Sequence, residues 1–101
     1  MSLPTDSKER KNIPIYTGNL VYFALAHAAI AECSFIGNEK HNPGERLHWS
    51  NKSKDHLDCL VRHLLQAGEI DTDGVRHSTK VAWRALAALQ IELEKATDER
   101  T

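Results

Sequence analysis

The sequence predicts an all-α domain, a small bundle of three main helices with a long ordered loop between the first two, completed by self-association. Three segments carry apolar residues at helical spacing. The third of these segments is apolar on nearly every side. Because a chain of 101 residues has room for one core, we expect a single domain.

The composition is typical of a globular protein and argues against two classes of partner. Hydrophobic residues make up 41% of the chain and charged residues 27%, which is unlike a disordered protein. The net charge of -1 provides no general attraction to nucleic acid. No stretch approaches the roughly 20 apolar residues that cross a bilayer, and the first residues do not resemble a signal peptide. We therefore expect a cytoplasmic protein without a membrane partner.

The polar ends of the chain set the limits of the domain. We expect residues 1–13 to form a flexible arm, residues 14–96 the helical domain and residues 97–101 a frayed end. The first helix is predicted to begin near Thr17 or Gly18 and to end at about Phe35.

The second helix has clear signals at both ends. Ser53 is a good N-cap, and Gly68 is a good residue just past the C-terminus. Four apolar residues recur at i, i+3, i+4 and i+7 and predict its buried stripe: Leu57, Leu60, Val61 and Leu64.

The third helix is predicted from Gly74 or Val75 to about Lys95. Between residues 81 and 91 only Arg84 and Gln90 interrupt the apolar residues. Two other helices cannot cover such a helix on all sides, so a second copy of the chain is the expected partner.

Residues 36–52 form a connection of a length that is usually functional or disordered. Its tryptophan, its leucine and its Asn-Pro-Gly turn favour an ordered loop. Asn38, Glu39 and His41 can hydrogen-bond the edge of a base while Trp49 stacks on its face. Trp49 can equally seal the loop onto the bundle.

An acidic pair lies on the second helix, where Asp55, Asp58 and Arg62 are spaced i, i+3 and i+7. Two carboxylates one turn apart can hold Mg²⁺, which keeps waters for a substrate phosphate. Alternatively, the aspartates stabilise the helix N-terminus and Arg62 pairs with Asp58 on the surface.

A basic stripe lies on the third helix, where His77, Lys80 and Arg84 repeat the same spacing. Such a stripe suits phosphate oxygens, although a solvated charged edge has the same pattern. Arg84 lies in an apolar segment, and a buried guanidinium needs an anionic partner.

Cysteine and histidine give weaker signals. Cys33 and Cys59 match no Cys-x-x-Cys pattern, so we expect both to be reduced and structural. His56, Cys59 and His63 share one helix, but their spacing fits no common closed zinc site.

Several of these residues occur in an order that resembles a family found largely in bacteriophages, the N-terminal domain of dATP/dGTP diphosphohydrolases, which is related to the MazG-like all-α nucleotide pyrophosphatases. The matching pieces are Gly37-Asn38-Glu39-Lys40-His41-Asn42, His48-Trp49, Asp58 through Arg62-His63-Leu64, Gly68-Glu69-Ile70-Asp71, and His77 leading into Ala82-Trp83-Arg84-Ala85-Leu86-Ala87. The resemblance implies a helical fold, a nucleotide ligand, and Mg²⁺-assisted attack of water that releases pyrophosphate, in the cytoplasm of a phage host. MazG-like enzymes carry a Glu-x-x-Glu pair where this chain has Glu32 alone.

Three functions follow from these observations. In the enzymatic one, Glu32, Asp55 and Asp58 hold Mg²⁺ and act in catalysis. The nucleotide-binding residues are then Asn38, Glu39, His41, Trp49, Arg62, His63, His77, Lys80 and Arg84. The missing carboxylate favours the second, an oligomeric sponge that sequesters a nucleotide immune signal, such as a cyclic dinucleotide or an ADP-ribose derivative, against host antiviral defence. The third is a structural or interaction protein without a ligand.

Overall fold

The computed structural model describes residues 3–48 and 53–100, with the backbone alone for residues 98–100. Within these ranges the chain is 65% helical and has no strand, which confirms the predicted small helical bundle. The α-helices are α1 (Ser7–Lys11), α2 (Ala24–His41), α3 (His56–Leu64) and α4 (His77–Arg100), and a π-helical turn spans Tyr16–Leu20.

The long helix α4 is the centre of the bundle, since it packs against both α2 and α3. Across the described residues, no Cα atom of α2 comes within 8 Å of one in α3. The indole Nε1 of Trp83 on α4 donates a hydrogen bond of 2.9 Å to Ser34 Oγ on α2. Groups on α2 and α3 are therefore related to each other only through α4.

The first long helix differs from its predicted bounds at both ends. A π-helical turn and three turn residues precede α2, which then continues to His41 instead of ending at Phe35. The helix passes through Gly37, gains favourable positive charge in its last turn from Lys40, and stops at Asn42, directly before Pro43. The predicted loop therefore shortens, and part of the predicted base-binding group lies on the end of α2.

The buried face of α3 was predicted incorrectly. Asp55, not Ser53, is the N-cap residue of this helix. The side chains buried against α4 are His56 and Cys59, while three of the four stripe residues are exposed: Leu57, Val61 and Leu64. One neighbouring helix covers only one face, and here it covers the face that carries the histidines.

A tight turn connects α3 to α4. It lies between Gly68 and His77 and is closed by hydrogen bonds from Asp71 N to Val75 O (2.9 Å) and from His77 N to Glu69 O (3.1 Å). Gly74, inside this turn, has a φ of 83°, in the left-handed region. The turn fixes the direction in which α4 begins.

Gly74→Ala is expected to lower the free energy of unfolding by about 1 kcal/mol, because an L side chain is strained at this φ. Empty space surrounds the position where the new Cβ would lie, so the loss would come from the backbone alone. The matched control is Gly37→Ala, in the helical part of α2, also with no atom within 4 Å of the added Cβ. That variant should be more stable by about 0.5 kcal/mol. Urea unfolding measures both, and equal effects of the two substitutions would contradict the prediction.

The core of a single chain is small. The buried apolar residues among those described are Cys59, Val75 and Ala87. The chain exposes 8097 Å², whereas a compact monomer of its mass exposes roughly 5,800 Å². Its radius of gyration of 15.6 Å also exceeds the value of about 13 Å for a compact domain of this length.

No single helix in the described part of the chain is long and apolar enough to cross a membrane. One pair of segments, Ser7–Leu20 and Ala24–His41, passes that test by length and composition alone, with a bend of 82° between them.

Candidate functional site

The N-terminus of α3 and the second half of α4 line an open surface groove of about 430 Å³, which we term the α3 pocket. Its lining residues are Ser53, Lys54, Asp55, His56, Leu57, Asp58, Ala88, Ile91 and Glu92. The pocket therefore combines carboxylates, a lysine and a histidine over an apolar floor.

Three carboxylates line the α3 pocket. Asp55 and Asp58 are the pair predicted from the sequence, and both are exposed. The third is Glu92 of α4, which the sequence analysis missed. Glu32, the predicted third carboxylate, is exposed on α2 and does not line this pocket. Glu92 lies four residues after Ala88 and therefore on the same face of the third helix. Because that helix was expected to pack beside the aspartates, this spacing was the sequence signal that could have identified Glu92.

The imidazole of His56 is the buried polar group of the α3 pocket, with 8% of the residue exposed. Its Nδ1 accepts a hydrogen bond of 3.0 Å from the Arg84 guanidinium, which can only donate. Burial, followed by the charge of Arg84, lowers the pKa of His56 against the opposing effect of Asp55. The neutral ring then carries its proton on Nε2, and Nε2 is buried without a hydrogen-bond partner.

Arg84 itself is turned toward this pocket. Its guanidinium carbon lies 5.5 Å from the ring centroid of Trp83, a cation–π contact. The predicted basic stripe is therefore divided, because Arg84 contacts His56 while Lys80 and His77 belong to a separate cluster. The partner of Arg84 is an aromatic face and a neutral imidazole in place of the expected anion.

The second cluster joins α3, the tight turn and the start of α4, and we term it the His63–His77 cluster. The two Nδ1 atoms of its histidines lie 2.8 Å apart. The Lys80 Nζ donates to Asp71 Oδ2 at 2.7 Å and to Asp73 Oδ2 at 2.8 Å. His77 is 4% exposed, and its Nδ1 lies 3.9 Å from Asp71 Oδ2.

The charges of this cluster stabilise one another. The hydrogen bond from Lys80 holds the pKa of both Asp71 and Asp73 below the ordinary value, and the Thr72 N–H adds to the effect at Asp71. Burial lowers the pKa of Lys80, but the two carboxylates outweigh it and raise that pKa overall. Burial, then the charges of Lys80 and His77, lowers the pKa of His63. The sequence analysis assigned Lys80 to phosphate binding and did not predict its two aspartate partners.

A family model described as dATP/dGTP diphosphohydrolase, N-terminal, matches residues 5–100. The chain belongs to this family. The matched range includes every piece on which the resemblance depended, from Gly37 to Ala87. No curated protein and no solved structure matches the chain.

In this member of the diphosphohydrolase N-terminal family, three of the predicted base-binding residues, Asn38, Glu39 and His41, do not line the α3 pocket. Asn38 Nδ2 donates 2.8 Å to the Glu45 carbonyl and so closes the segment after α2. Glu39 and His41 are exposed at the end of α2. Trp49 lies outside the described residues. Their role in base recognition stays a prediction.

Arg62 is the predicted phosphate ligand on the outer side of α3. It donates a hydrogen bond of 3.0 Å to Cys59 Sγ, and its guanidinium lies 3.9 Å from Asp55 Oδ2. Its ionic partner is therefore Asp55, whereas the sequence analysis had offered a surface ion pair with Asp58. Cys59 Sγ in turn donates 3.5 Å to Asp55. Both cysteines are free thiols, as expected.

Proposed function

We propose that the chain binds a nucleoside triphosphate in the α3 pocket and, with Mg²⁺, hydrolyses it to a nucleoside monophosphate and pyrophosphate. The observation that carries the proposal is the convergence of Asp55, Asp58 and Glu92 on one groove that also contains Lys54 and His56. The name of the family supports a purine deoxynucleotide such as dATP or dGTP as the substrate.

The lining of the α3 pocket suits magnesium, because Mg²⁺ prefers oxygen ligands and is commonly bound by one or two carboxylates, phosphate oxygens and water. The three carboxylates do not form a group with ligand atoms within 4.8 Å of one another. We therefore assign one or two of them, not all three, to the ion. When bound, the metal would neutralise phosphate charge and favour attack by water.

Two further groups in the pocket suit the phosphates. The Lys54 ammonium supplies positive charge at the N-terminus of α3, where backbone N–H groups also favour anions. The Nε2–H of His56 is a buried donor without a partner, and a phosphate oxygen would relieve its cost of about 1–3 kcal/mol. Glu32 on α2 does not line this pocket, and no Cα atom of α2 lies within 8 Å of one in α3 among the described residues, so we assign Glu32 no role in the metal site of the same chain.

We also propose that the chain self-associates. The excess surface of a single chain and the exposed apolar side of α3 both support a second copy as the partner. In an oligomer, exposed groups at the end of α2 could complete a pocket of the neighbouring subunit.

The second candidate function is sequestration of an intact nucleotide, such as a cyclic dinucleotide or an ADP-ribose derivative, within the host cytoplasm. The spread of the three carboxylates favours it, because they do not form a single group that could hold one metal ion together, and sequestration requires no metal. In that case the ligand would be retained in EDTA and recovered unchanged.

Asp58→Asn is expected to reduce Mg²⁺-dependent hydrolysis of dATP or dGTP by about two orders of magnitude, and Glu92→Gln by at least tenfold, because each removes a negative oxygen from the pocket. The matched control is Glu94→Gln, whose carboxylate accepts from Gln90 on the same helix and does not line the pocket. It should keep full activity. Product analysis with Mg²⁺ and with EDTA measures the effect.

The outcomes separate the two candidates. The hydrolase is supported if the wild type releases pyrophosphate only when a metal is present and Asp58→Asn abolishes that release. Retention of unaltered nucleotide in EDTA, with no product under any condition, supports sequestration. A wild-type protein that neither binds nor hydrolyses a panel of NTPs, dNTPs and cyclic dinucleotides contradicts both.

A further inference from the structure

The geometry points to a second site, separate from the α3 pocket, in which His63, Asp71 and His77 bind one transition-metal ion of the Zn²⁺ type. The donor atoms of these residues all lie within 4.8 Å of one another. They form the one such trio among the described side chains of residues 3–48 and 53–97. The inference does not depend on the proposed nucleotide hydrolysis.

The distances suit a small divalent ion. Bonds of about 2.0–2.1 Å to nitrogen and oxygen in a tetrahedral site place neighbouring ligand atoms roughly 3.3 Å apart. The two Nδ1 atoms are 2.8 Å apart, and His77 Nδ1 lies 3.9 Å from Asp71 Oδ2. These two separations lie on either side of the required value, and the third, between His63 and Asp71, is no more than 4.8 Å.

The donor set selects the class of metal. Two imidazole nitrogens and one carboxylate oxygen favour Zn²⁺, Co²⁺ or Ni²⁺, whereas Mg²⁺ and Ca²⁺ prefer oxygen alone. Three protein ligands also leave a fourth position open for water or an anion. The site is therefore distinct in chemistry from the carboxylate-lined α3 pocket.

The backbone holds these three ligands in place. His63 is on α3, Asp71 is in the tight turn and His77 is the first residue of α4. Hydrogen bonds on both sides of the turn, Asp71 N to Val75 O and His77 N to Glu69 O, fix the second and third ligands. Such a site would link both sides of the α3–α4 connection.

Metal binding requires that each histidine offer the lone pair of its Nδ1. In the hydrogen bond between the two rings, one Nδ1 donates and the other accepts. The donor ring therefore has to carry its proton on Nε2 before both Nδ1 atoms can bond the metal. His77 is buried and His63 is half-buried.

Lys80 both supports and limits this site. A carboxylate oxygen has two lone pairs, so Asp71 Oδ2 can accept from Lys80 and ligate a metal at once. Asp73 provides the ammonium with a second carboxylate at 2.8 Å. The nearby positive charge opposes the ion, so removing it with Lys80→Gln should strengthen Zn²⁺ binding while the ligand variants weaken it.

The experiment uses the full chain with Zn²⁺ alone and with Co²⁺ as a spectroscopic probe. We expect one Zn²⁺ per chain and the visible absorption of tetrahedral Co²⁺, both insensitive to excess Mg²⁺. His63→Gln should weaken Zn²⁺ binding at least tenfold and abolish that absorption. The control His48→Gln, an exposed histidine beyond α2, should bind like the wild type.

Asp71→Asn provides a second test if His63→Gln does not fold. Loss of the Co²⁺ absorption in either folded ligand variant supports the site. Absence of a tetrahedral Co²⁺ spectrum in the wild type, or an unchanged Zn²⁺ affinity in a folded ligand variant, overturns it.

Discussion

Replacing both Val61 and Leu65 with lysine is expected to convert the proposed oligomer into monomers, with a loss of association of at least 100-fold. Both side chains are exposed on the outer side of α3, and Leu65 is 82% exposed. Together with Leu57 and Leu64 they form an apolar stripe at i, i+4, i+7 and i+8. An ammonium in the centre of such a contact would lose its hydration without gaining a partner.

The surface area explains why so large an effect is expected. The chain exposes roughly 2,300 Å² more than a compact monomer of its mass. A specific protein interface buries about 600–1,000 Å² on each partner, and an obligate interface about 1,000–2,500 Å² on each. The excess on one chain is therefore the size of a large, obligate interface, and the apolar stripe on α3 is part of the exposed apolar surface.

Sedimentation velocity over a range of concentrations measures the association. The matched control is Gln66→Lys, which adds one charge next to Leu65 at a residue that is already polar and exposed. It should associate like the wild type, and circular dichroism should show that the double variant retains its helices. A wild type that is monomeric at every concentration, or a double variant as oligomeric as the wild type, contradicts the prediction.

The helical elements could be predicted because their signals are local. Gly68 adopts a φ of 96°, in the left-handed region, but α3 already ends at Leu64 with Leu65 as its C-cap, so the predicted end of this helix was about three residues too late. The predicted end of α2, at about Phe35, was six residues too early, since the helix passes through Gly37 and continues over Glu39 and Lys40, both good helix formers, to His41. The helix ends before Pro43, because the proline ring clashes with a helical conformation of the preceding residue, Asn42.

The direction in which α3 faces could not be predicted from its own sequence. The most apolar stripe was assigned to the core, whereas α4 covers the side with His56 and Cys59. Periodicity identifies an apolar face but does not say whether another helix of the same chain or another chain covers it. For the same reason, the sequence assigned self-association to the third helix, whereas the exposed apolar stripe proposed for it here lies on α3.

The candidate site was partly predictable. Asp55 and Asp58 were found from spacing on one helix, and both line the α3 pocket. Glu92 and the aspartate partners of Lys80 were missed, because each depends on how α4 is placed against another segment. Patterns within one helix reveal pairs of residues, whereas a site built from several segments requires the tertiary fold.

Lys80→Met is expected to lower the melting temperature by about 10 °C, since it removes two charge-assisted hydrogen bonds at once. The side chains of Lys80 and Asp73 are only 16% and 17% exposed. Without the ammonium, Asp71 and Asp73 would face each other across the turn that begins α4, with no cation between them. Methionine keeps the length of the apolar stem, so the packing changes little.

Lys40→Met is the matched control for this substitution. Lys40 also pairs with Asp73, but at 3.7 Å and with 55% of its side chain exposed. An exposed pair of this kind contributes little, so its loss should change the melting temperature by less than about 2 °C. Differential scanning calorimetry at neutral pH compares the two variants, and equal shifts would show that proximity to Asp73, not the paired hydrogen bonds, determines the effect.

The pH dependence of the difference between wild type and Lys80→Met tests its electrostatic origin. Lys80 holds the pKa of Asp71 and Asp73 below the ordinary value of 3.8, so both carboxylates release their protons more readily in the folded chain than in the unfolded one. The stabilisation is therefore complete above the unfolded pKa and is lost as the pH falls through the folded values. We expect a constant difference in melting temperature between pH 7 and about pH 5, and a decline below about pH 4. A difference that stays constant to the lowest pH at which the protein folds would assign the loss to packing of the lysine stem, because protonation of the aspartates leaves those apolar contacts unchanged.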